Sequence, residues 1–132
     1  MGTFYTSCVL QNVADRSQST VVDKLLVDTG SEFTWVPEKV LESLGVQREK
    51  KDQTFVVANG KQVTRSVGFA ILRLEDSFTI DEVVFGEPGD LPLLGARTLE
   101  GLNLSVDAGR KRLVASGPIP AASADPSGGS SE

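Results

Sequence analysis

The residues best suited to chemistry in this chain are Asp28-Thr29-Gly30-Ser31, which directly follow the apolar run Leu25-Leu26-Val27. A carboxylate at the end of a buried strand is held rigidly and is partly removed from water. A glycine near it lets the backbone approach the carboxylate without a Cβ clash. The Ser31 hydroxyl could donate a hydrogen bond to an outer oxygen of Asp28 and favour its ionised form. The segment therefore predicts a carboxylate held ready in a tight loop.

The composition excludes several common classes of catalyst. The chain has no histidine, so mechanisms that move protons through an imidazole, such as Ser-His-Asp and Cys-His catalysis, are ruled out. The single cysteine, Cys8, cannot supply a thiolate cluster for zinc and is expected to be a small buried apolar residue. No GxxxxGK[ST] phosphate loop occurs. We therefore expect no metal and no cofactor, with any chemistry carried by carboxylates, hydroxyls, lysines or backbone groups.

Charge and hydropathy narrow the range of partners. The formal net charge is -5 at pH 7, which makes the phosphate backbone of a nucleic acid an unfavourable main partner. The sequence has no run of about 18 apolar residues. Its first residues do not show a basic start followed by an apolar block. The sequence thus predicts a cytoplasmic protein that binds neither membrane nor nucleic acid.

The elements that must position Asp28 are short and mostly strand-like. Pro37 suits the first position of a short helix that ends at Gly45, and a second short helix is predicted over 97–102. Asn59-Gly60 predicts a tight hairpin, because both residues accept positive φ. The pattern indicates an all-β domain with one or two short helices. Runs rich in β-branched and aromatic residues lie at residues 3–13, 21–27, 54–58, 62–67, 68–74, 78–85, 104–106 and 112–115.

Three features, taken in order, resemble the retropepsin-like aspartic proteases, the single-lobe and homodimeric branch that includes retroviral proteases and small bacterial relatives. They are the apolar strand ending in Asp28-Thr29-Gly30-Ser31, the hairpin at Asn59-Gly60, and the glycine-closed apolar pair Leu93-Leu94-Gly95 before a helix. The resemblance covers about residues 3–115. It implies a single retropepsin-like lobe over residues 1–115, built as a closed or partly open β-barrel.

The resemblance also implies an aspartic endopeptidase whose catalytic residues are Asp28, Thr29 and Gly30. Its mechanism needs two carboxyl groups, one ionised and one protonated, that share an activated water. This chain has one Asp-Thr-Gly, and its nearest rival, Asp107-Ala108-Gly109, lacks the hydroxyl residue and is interpreted as a hairpin turn. A homodimer supplies the pair, because Asp28 then meets Asp28 of a second copy across a two-fold axis.

The substrate that the resemblance implies is an extended polypeptide. The hairpin tipped by Asn59-Gly60 could fold over it as a flap, exclude water and supply backbone hydrogen bonds. The substrate-binding residues would be Ser31, Ala58, Asn59, Gly60 and Lys61. The sequence departs here from retroviral flaps, which are richer in glycine and isoleucine.

Two other interpretations stay open at this stage. A catalytically silent retropepsin-like domain would use the same cleft to bind a peptide or to dimerise a partner. A generic β-domain would use Asp-Thr-Gly only as a structural turn. The presence of Asp28, Thr29 and Gly30 together favours the enzyme. Residues 116–132 are rich in Gly, Pro, Ala and Ser and are predicted to form a flexible tail.

Overall fold

The computed structural model describes residues 3–122 of the chain. Within that range the chain forms nine strands and two short helices, so the all-β prediction is confirmed. The elements in chain order are β1 (Tyr5–Gln11), β2 (Ser19–Val27), β3 (Thr34–Pro37), α1 (Glu38–Ser43), β4 (Lys50–Val56), β5 (Gln62–Leu74), β6 (Ser77–Gly86), β7 (Leu93–Leu94), α2 (Ala96–Gly101), β8 (Leu104–Asp107) and β9 (Arg112–Ala115).

The flexible tail predicted over 116–132 stays a prediction. Residues 116–122 contain no helix or strand, and residues 123–132 lie outside the described range. The two helices span six residues each. In the part of the chain that the structure describes, no helix combines the length and the apolar character needed to cross a bilayer.

Six of the strands form a ring, in the order β1-β2-β7-β3-β6-β5, which closes where β1 pairs antiparallel with β5. β4 continues the sheet beyond β5, and β8 and β9 form a separate two-stranded sheet. The main apolar core combines residues of all six ring strands with residues of both helices, and side chains of β8 and β9 pack against it. Its largest fully buried members are Phe85, Leu10, Leu25, Leu41, Leu72 and Leu94.

The shortest strand, β7, lies between β2 and β3 in the ring. It pairs parallel with β2, where Val27 lies opposite Leu94, and antiparallel with β3, where Trp35 lies opposite Leu93. A two-residue strand shows no alternation of apolar and polar positions, so periodicity could not identify it. The ends of β2 and β7 therefore lie side by side, and the segments that follow them meet.

Several boundaries differ from the sequence-based prediction, among them that of β4, which begins at Lys50 and ends at Val56 where a run over 54–58 was predicted. Pro37 is not the first helical residue: with φ -52 and ψ 134 it is the N-cap, and it also pairs with Gly86 as the last residue of β3. Gly45 ends the first helix as predicted, with φ 75. The runs predicted over 62–67 and 68–74 form one continuous strand. Gly68 permits this, because a Cβ there would lie 2.3 Å from the carbonyl oxygen of Gln47.

The outer edge of the sheet is β4, which pairs with β5 alone. Its register against β5 shifts between Lys50 and Gln53, and Asp52 within this bulge has a φ of 57. The side chains of Lys50, Lys51 and Asp52 are exposed. The first half of the edge strand is therefore irregular and charged, whereas Thr54–Val56 pairs in regular register.

Cys8, on β1, is buried in the main apolar core, as expected for a small apolar residue. It is 2% exposed, and its Sγ atom lies 3.4 Å from the carbonyl oxygen of Arg73. Burial raises the pKa of the Cys8 thiol from 9.0 to about 11. The folded protein therefore holds this thiol in its neutral and unreactive form.

We predict that Cys8 in the folded protein reacts with iodoacetamide on the order of a hundredfold more slowly than in the urea-unfolded chain, because alkylation requires opening of the ring. Mass spectrometry of timed samples measures both rates. Since the unfolded thiol ionises at lower pH than the folded one, the free energy of unfolding falls as pH rises from about 9 to about 11. Cys8→Ala should reduce this slope. Equal labelling of folded and unfolded protein would contradict the assignment.

Candidate active site

Asp28 is the first residue after β2 and is fixed by the neighbouring strands. Its backbone N–H donates to the carbonyl oxygen of Leu94 at 3.0 Å, and the N–H of Val27 donates to that of Phe4 at 3.0 Å. The Oδ1 atom of Asp28 accepts a hydrogen bond from the N–H of Gly30 at 3.0 Å. The side chain is half-buried. The carboxylate is therefore oriented by the turn that it begins and stays accessible from one side.

The next three residues complete the turn. Thr29 and Gly30 are exposed, and the N–H of Ser31 donates to the carbonyl oxygen of Asp28 at 3.2 Å. The hydroxyl of Ser31 donates to the carbonyl oxygen of Phe33 at 2.9 Å, not to the carboxylate. The expected Ser31–Asp28 hydrogen bond is thus wrong, because the single hydroxyl proton satisfies a carbonyl of the segment that turns into β3.

The same turn is joined to the start of α2 by close backbone contact. The N–H of Ala96 donates to the carbonyl oxygen of Ser31 at 2.7 Å, and that of Arg97 donates to the carbonyl oxygen of Glu32 at 3.1 Å. Gly95 makes this approach possible. A Cβ at that position would lie 2.4 Å from the carbonyl oxygen of Phe33, a distance that a real Cβ does not adopt.

A buried chain of hydrogen bonds supports Gly95 from behind. Its N–H donates to Oγ1 of Thr34 at 3.0 Å, Thr34 Oγ1 lies 2.6 Å from Oγ1 of Thr98, and Thr98 donates to Oδ2 of Asp81 at 2.9 Å. Because the one proton of Thr98 goes to Asp81, the proton between the two threonines belongs to Thr34. Within residues 3–122, every buried side-chain nitrogen or oxygen has a hydrogen-bond partner. The chain ties the loop beside Asp28 to β6.

A cleft of about 680 Å³ opens at Asp28. Three segments contribute its walls: the turn from Asp28 to Phe33, the hairpin arm from Thr54 to Ala58, and the loop from Gly89 to Leu91. This volume lies in the range of small-molecule and peptide side-chain sites. The carboxylate of Asp28 therefore faces a space that can hold a ligand.

An aromatic cluster of Phe33, Trp35 and Phe55 lines this cleft. The ring of Phe55 lies edge-on to both others, with centroids 5.5 Å from Phe33 and 5.2 Å from Trp35. Sequence reasoning assigned no role to Phe33 or Phe55 and placed Trp35 mainly in the core. A usable signal was present, since Phe33 and Trp35 are two residues apart and residues at that spacing share one face of a strand.

The hairpin predicted at Asn59-Gly60 is confirmed, but its turn differs from the predicted one. Gly60 has a φ of 83, whereas Asn59 does not have positive φ. The N–H of Gly60 donates to the carbonyl oxygen of Val57 at 2.8 Å, and Oδ1 of Asn59 accepts the N–H of Lys61 at 2.9 Å. Ala58 lines the cleft, whereas the exposed tip residues Asn59, Gly60 and Lys61 do not.

Two other aspartates of the described range, Asp107 and Asp90, make contacts of their own. Asp107 is the last residue of β8, and Ala108-Gly109 continue into the turn that leads to β9, so the hairpin interpreted from the sequence is confirmed. Oδ1 of Asp107 accepts the N–H of Arg110 at 3.2 Å. Asp90 lines the cleft but is hydrogen-bonded to Arg65. Over residues 3–122, no group of three His, Cys, Asp or Glu side chains is arranged to hold a metal ion.

Comparison with known families gives an independent result. A family model described as aspartyl protease matches residues 17–98, which is more than half of the chain. The match includes the turn at Asp28, the hairpin at Asn59-Gly60 and the Leu94-Gly95 junction. A search of curated proteins found no significant match.

We predict that Gly95→Ala destabilises the fold by about 1–3 kcal/mol or more, because the added methyl group must displace the backbone at Phe33. Thermal unfolding followed by circular dichroism measures the change. Gly109→Ala is the matched control, since a Cβ there would meet its nearest neighbour, Oδ1 of Asp107, at an ordinary 3.8 Å. An unchanged melting temperature for Gly95→Ala would contradict the close approach.

Proposed function

The chain belongs to the aspartyl protease family, and on that premise we propose that it is a homodimeric aspartic endopeptidase. Asp28 of each subunit contributes one carboxyl group of the catalytic pair. The observation that carries this proposal is the position of Asp28, half-buried at the end of a strand and facing a cleft of about 680 Å³.

The exposure of the turn supports pairing with a second copy. Thr29 and Gly30 are exposed beside the half-buried Asp28, so a symmetry-related turn can approach the carboxylate without rearrangement of the core. A two-fold axis at this place brings identical turns together through one self-complementary contact. The hydroxyl of Thr29 is available to bond across that axis, and Gly30 leaves space for the neighbouring carboxylate.

The residues of this chain argue against a second catalytic aspartate within one subunit. Asp90 also lines the cleft, but Arg65 holds it in a bidentate ion pair that keeps it ionised. A carboxylate held this way cannot carry the proton that the pair must share. Asp107 is the last residue of β8 and does not line the cleft.

The proposed reaction is hydrolysis of a peptide bond without a covalent intermediate. One Asp28 carboxylate accepts a proton from a water held between the two subunits, and the resulting hydroxide attacks the scissile carbonyl carbon. The other Asp28, protonated, donates its proton to the carbonyl oxygen. When the tetrahedral intermediate collapses and the C–N bond breaks, the Asp28 that took the proton of the water gives it to the leaving nitrogen. The other Asp28 takes a proton from a hydroxyl of the intermediate, which restores the pair. The backbone N–H of Gly30 keeps the Oδ1 atom of Asp28 oriented throughout.

The proposed substrate is a polypeptide segment in extended conformation. The hairpin arm supplies one wall of the cleft from Thr54 to Ala58, and its tip, with Asn59, Gly60 and Lys61, closes over the bound segment as a flap. Ser31 lies in the wall formed by the turn that follows Asp28. The apolar aromatic cluster provides the pocket for a substrate side chain. We assign the enzyme to the cytoplasm, a reducing compartment that suits a single buried thiol.

We predict that Asp28→Asn lowers cleavage of a peptide library by at least about a hundredfold while leaving the melting temperature nearly unchanged, because the amide keeps the shape but cannot ionise. Asp107→Asn is the matched control, since it alters an aspartate of another Asp-x-Gly turn that does not line the cleft. Digests at acid and at neutral pH, read by mass spectrometry, give the rates. Cleavage by Asp28→Asn at the wild-type rate would rule out the dyad, and an inactive wild type would favour the silent peptide-binding domain.

We predict that activity depends on subunit pairing. Specific activity should fall on dilution through the range in which light scattering detects dissociation. In an equal mixture of wild-type and Asp28→Asn subunits, random pairing should lower activity to about half of that expected from the wild-type subunits present, since mixed dimers lack one carboxyl group. Activity strictly proportional to the wild-type subunits, from a protein that is monomeric at all concentrations, would contradict the proposal.

A further inference from the structure

The ion pair between Arg65 and Asp90 joins one wall of the cleft, the loop from Gly89 to Leu91, to the neighbouring strand β5. Arg65 lies on β5, two residues beyond Val63, which lines the cleft, and Asp90 lies in the loop between β6 and β7. Nε of Arg65 donates to Oδ2 of Asp90 at 2.7 Å, and Nη2 donates to Oδ1 at 2.9 Å. Only 14% and 18% of the two side chains are exposed. The pair is bidentate and shielded, unlike an ordinary surface salt bridge.

The Asp90 carboxylate also closes its own loop. Its Oδ2 atom accepts the N–H of Glu87 at 2.8 Å, while the N–H of Asp90 donates to the carbonyl oxygen of Glu87 at 2.9 Å. The hydrogen bonds from Arg65 hold the pKa of Asp90 below its ordinary value, against the opposing effect of burial. One ionised carboxylate therefore folds residues 87–90 into a turn and fastens that turn to β5.

The loop has open space on both sides. Gly89, Asp90 and Leu91 line the large cleft and also a second cavity of about 310 Å³, and Trp35 lies at both as well. Leu91 itself is 52% exposed. Open space on two sides leaves this segment fewer packing neighbours, so polar contacts contribute more to its position. The ion pair is the contact on one side of Leu91, and on the other the N–H of Leu26 donates to the carbonyl oxygen of Pro92 at 3.2 Å.

We propose that the Arg65–Asp90 pair determines the side-chain selectivity of the cleft by fixing the position of Leu91. The inference rests on the proposed function, because it concerns peptide binding in the same cleft. Arg65 and Asp90 act as positioning residues: their charges are engaged with each other, and the apolar side chain of Leu91 meets the substrate. An apolar pocket separates side chains by volume, so displacement of Leu91 changes which of them fit.

The test measures selectivity by binding, so that it does not depend on catalysis. Peptides that differ in one apolar side chain are titrated against Asp28→Asn protein, alone and combined with Arg65→Lys, Arg65→Gln or Asp90→Asn. The matched control is Lys50→Gln, which removes the Lys50–Glu82 ion pair between β4 and β6 at residues that do not line the cleft. Cleavage by the same variants in the Asp28 background is measured in parallel.

We expect Arg65→Gln and Asp90→Asn to change the ratio of affinities for large and small side chains by at least about tenfold, the scale of a methylene-sized mismatch in an apolar pocket. Arg65→Lys should have an intermediate effect, because lysine keeps the charge but not the bidentate geometry. Lys50→Gln should leave the ratio unchanged. In cleavage, the change should appear in KM more than in kcat.

Two results would overturn the inference. One is an unchanged affinity ratio in folded Arg65→Gln and Asp90→Asn proteins, which would make the pair a stabilising contact only. The other is the absence of peptide binding by Asp28→Asn protein. Selective binding that shifts with the pair, together with no cleavage by the wild type, would support the inference while the proposed peptidase activity fails.

Discussion

The insertion of β7 between β2 and β3 is the constraint on which the site depends. The strand is two residues long, yet its Leu94 carbonyl accepts the N–H of Asp28 and its last side chain is fully buried. Gly95 then passes so close to the Phe33 carbonyl that no side chain fits. These contacts place a polar turn directly against the apolar core. Because close-packed protein interiors deform little, the contacts between this turn and the ring hold the carboxylate of Asp28 in place.

The buried threonines Thr34 and Thr98 explain how polar groups can be buried beside Gly95 without the free-energy penalty of an unmade hydrogen bond. The N–H of Gly95 and the two threonine hydroxyls all donate their hydrogen bonds in the same direction along the chain, and the last acceptor is the carboxylate of Asp81. An unsatisfied group in such a place would cost about 1–3 kcal/mol. A fully satisfied chain of this kind also specifies a single arrangement, since reversing one hydroxyl leaves a donor without an acceptor. The junction is thereby defined by polar contacts as well as by packing.

Elements with strong local signals could be predicted from the sequence, and elements defined by distant partners could not. The strands β2 and β6, the stop at Gly45 and the hairpin at Asn59-Gly60 follow from side-chain type and local φ preferences. β7 could not be recognised, because its two residues become a strand only through pairing with β2 and β3. Gly68 suggested a break for the same reason: its place within β5 depends on the backbone of Gln47.

The candidate site divides in the same way. The Asp-Thr-Gly turn carries a local signature, so Asp28, Thr29 and Gly30 could be singled out before the fold was known. The aromatic lining and the pairing of Arg65 with Asp90 join residues that are distant in the chain, and no local pattern predicts which charged residues will meet. The direction of the Ser31 hydroxyl was missed because it depends on how the chain turns into β3.

The two halves of β4 have different consequences for the protein in crowded solution. An unpaired strand edge is a template on which another chain can extend the sheet, and this is a common beginning of aggregation. Here the bulge at Asp52 and the charged Lys50 and Lys51 interrupt that template at the end far from the cleft. The regular half, from Thr54 to Val56, lies where the cleft opens. Within the described residues, the part of this edge that could pair with an added strand is therefore the part that borders the proposed substrate cleft.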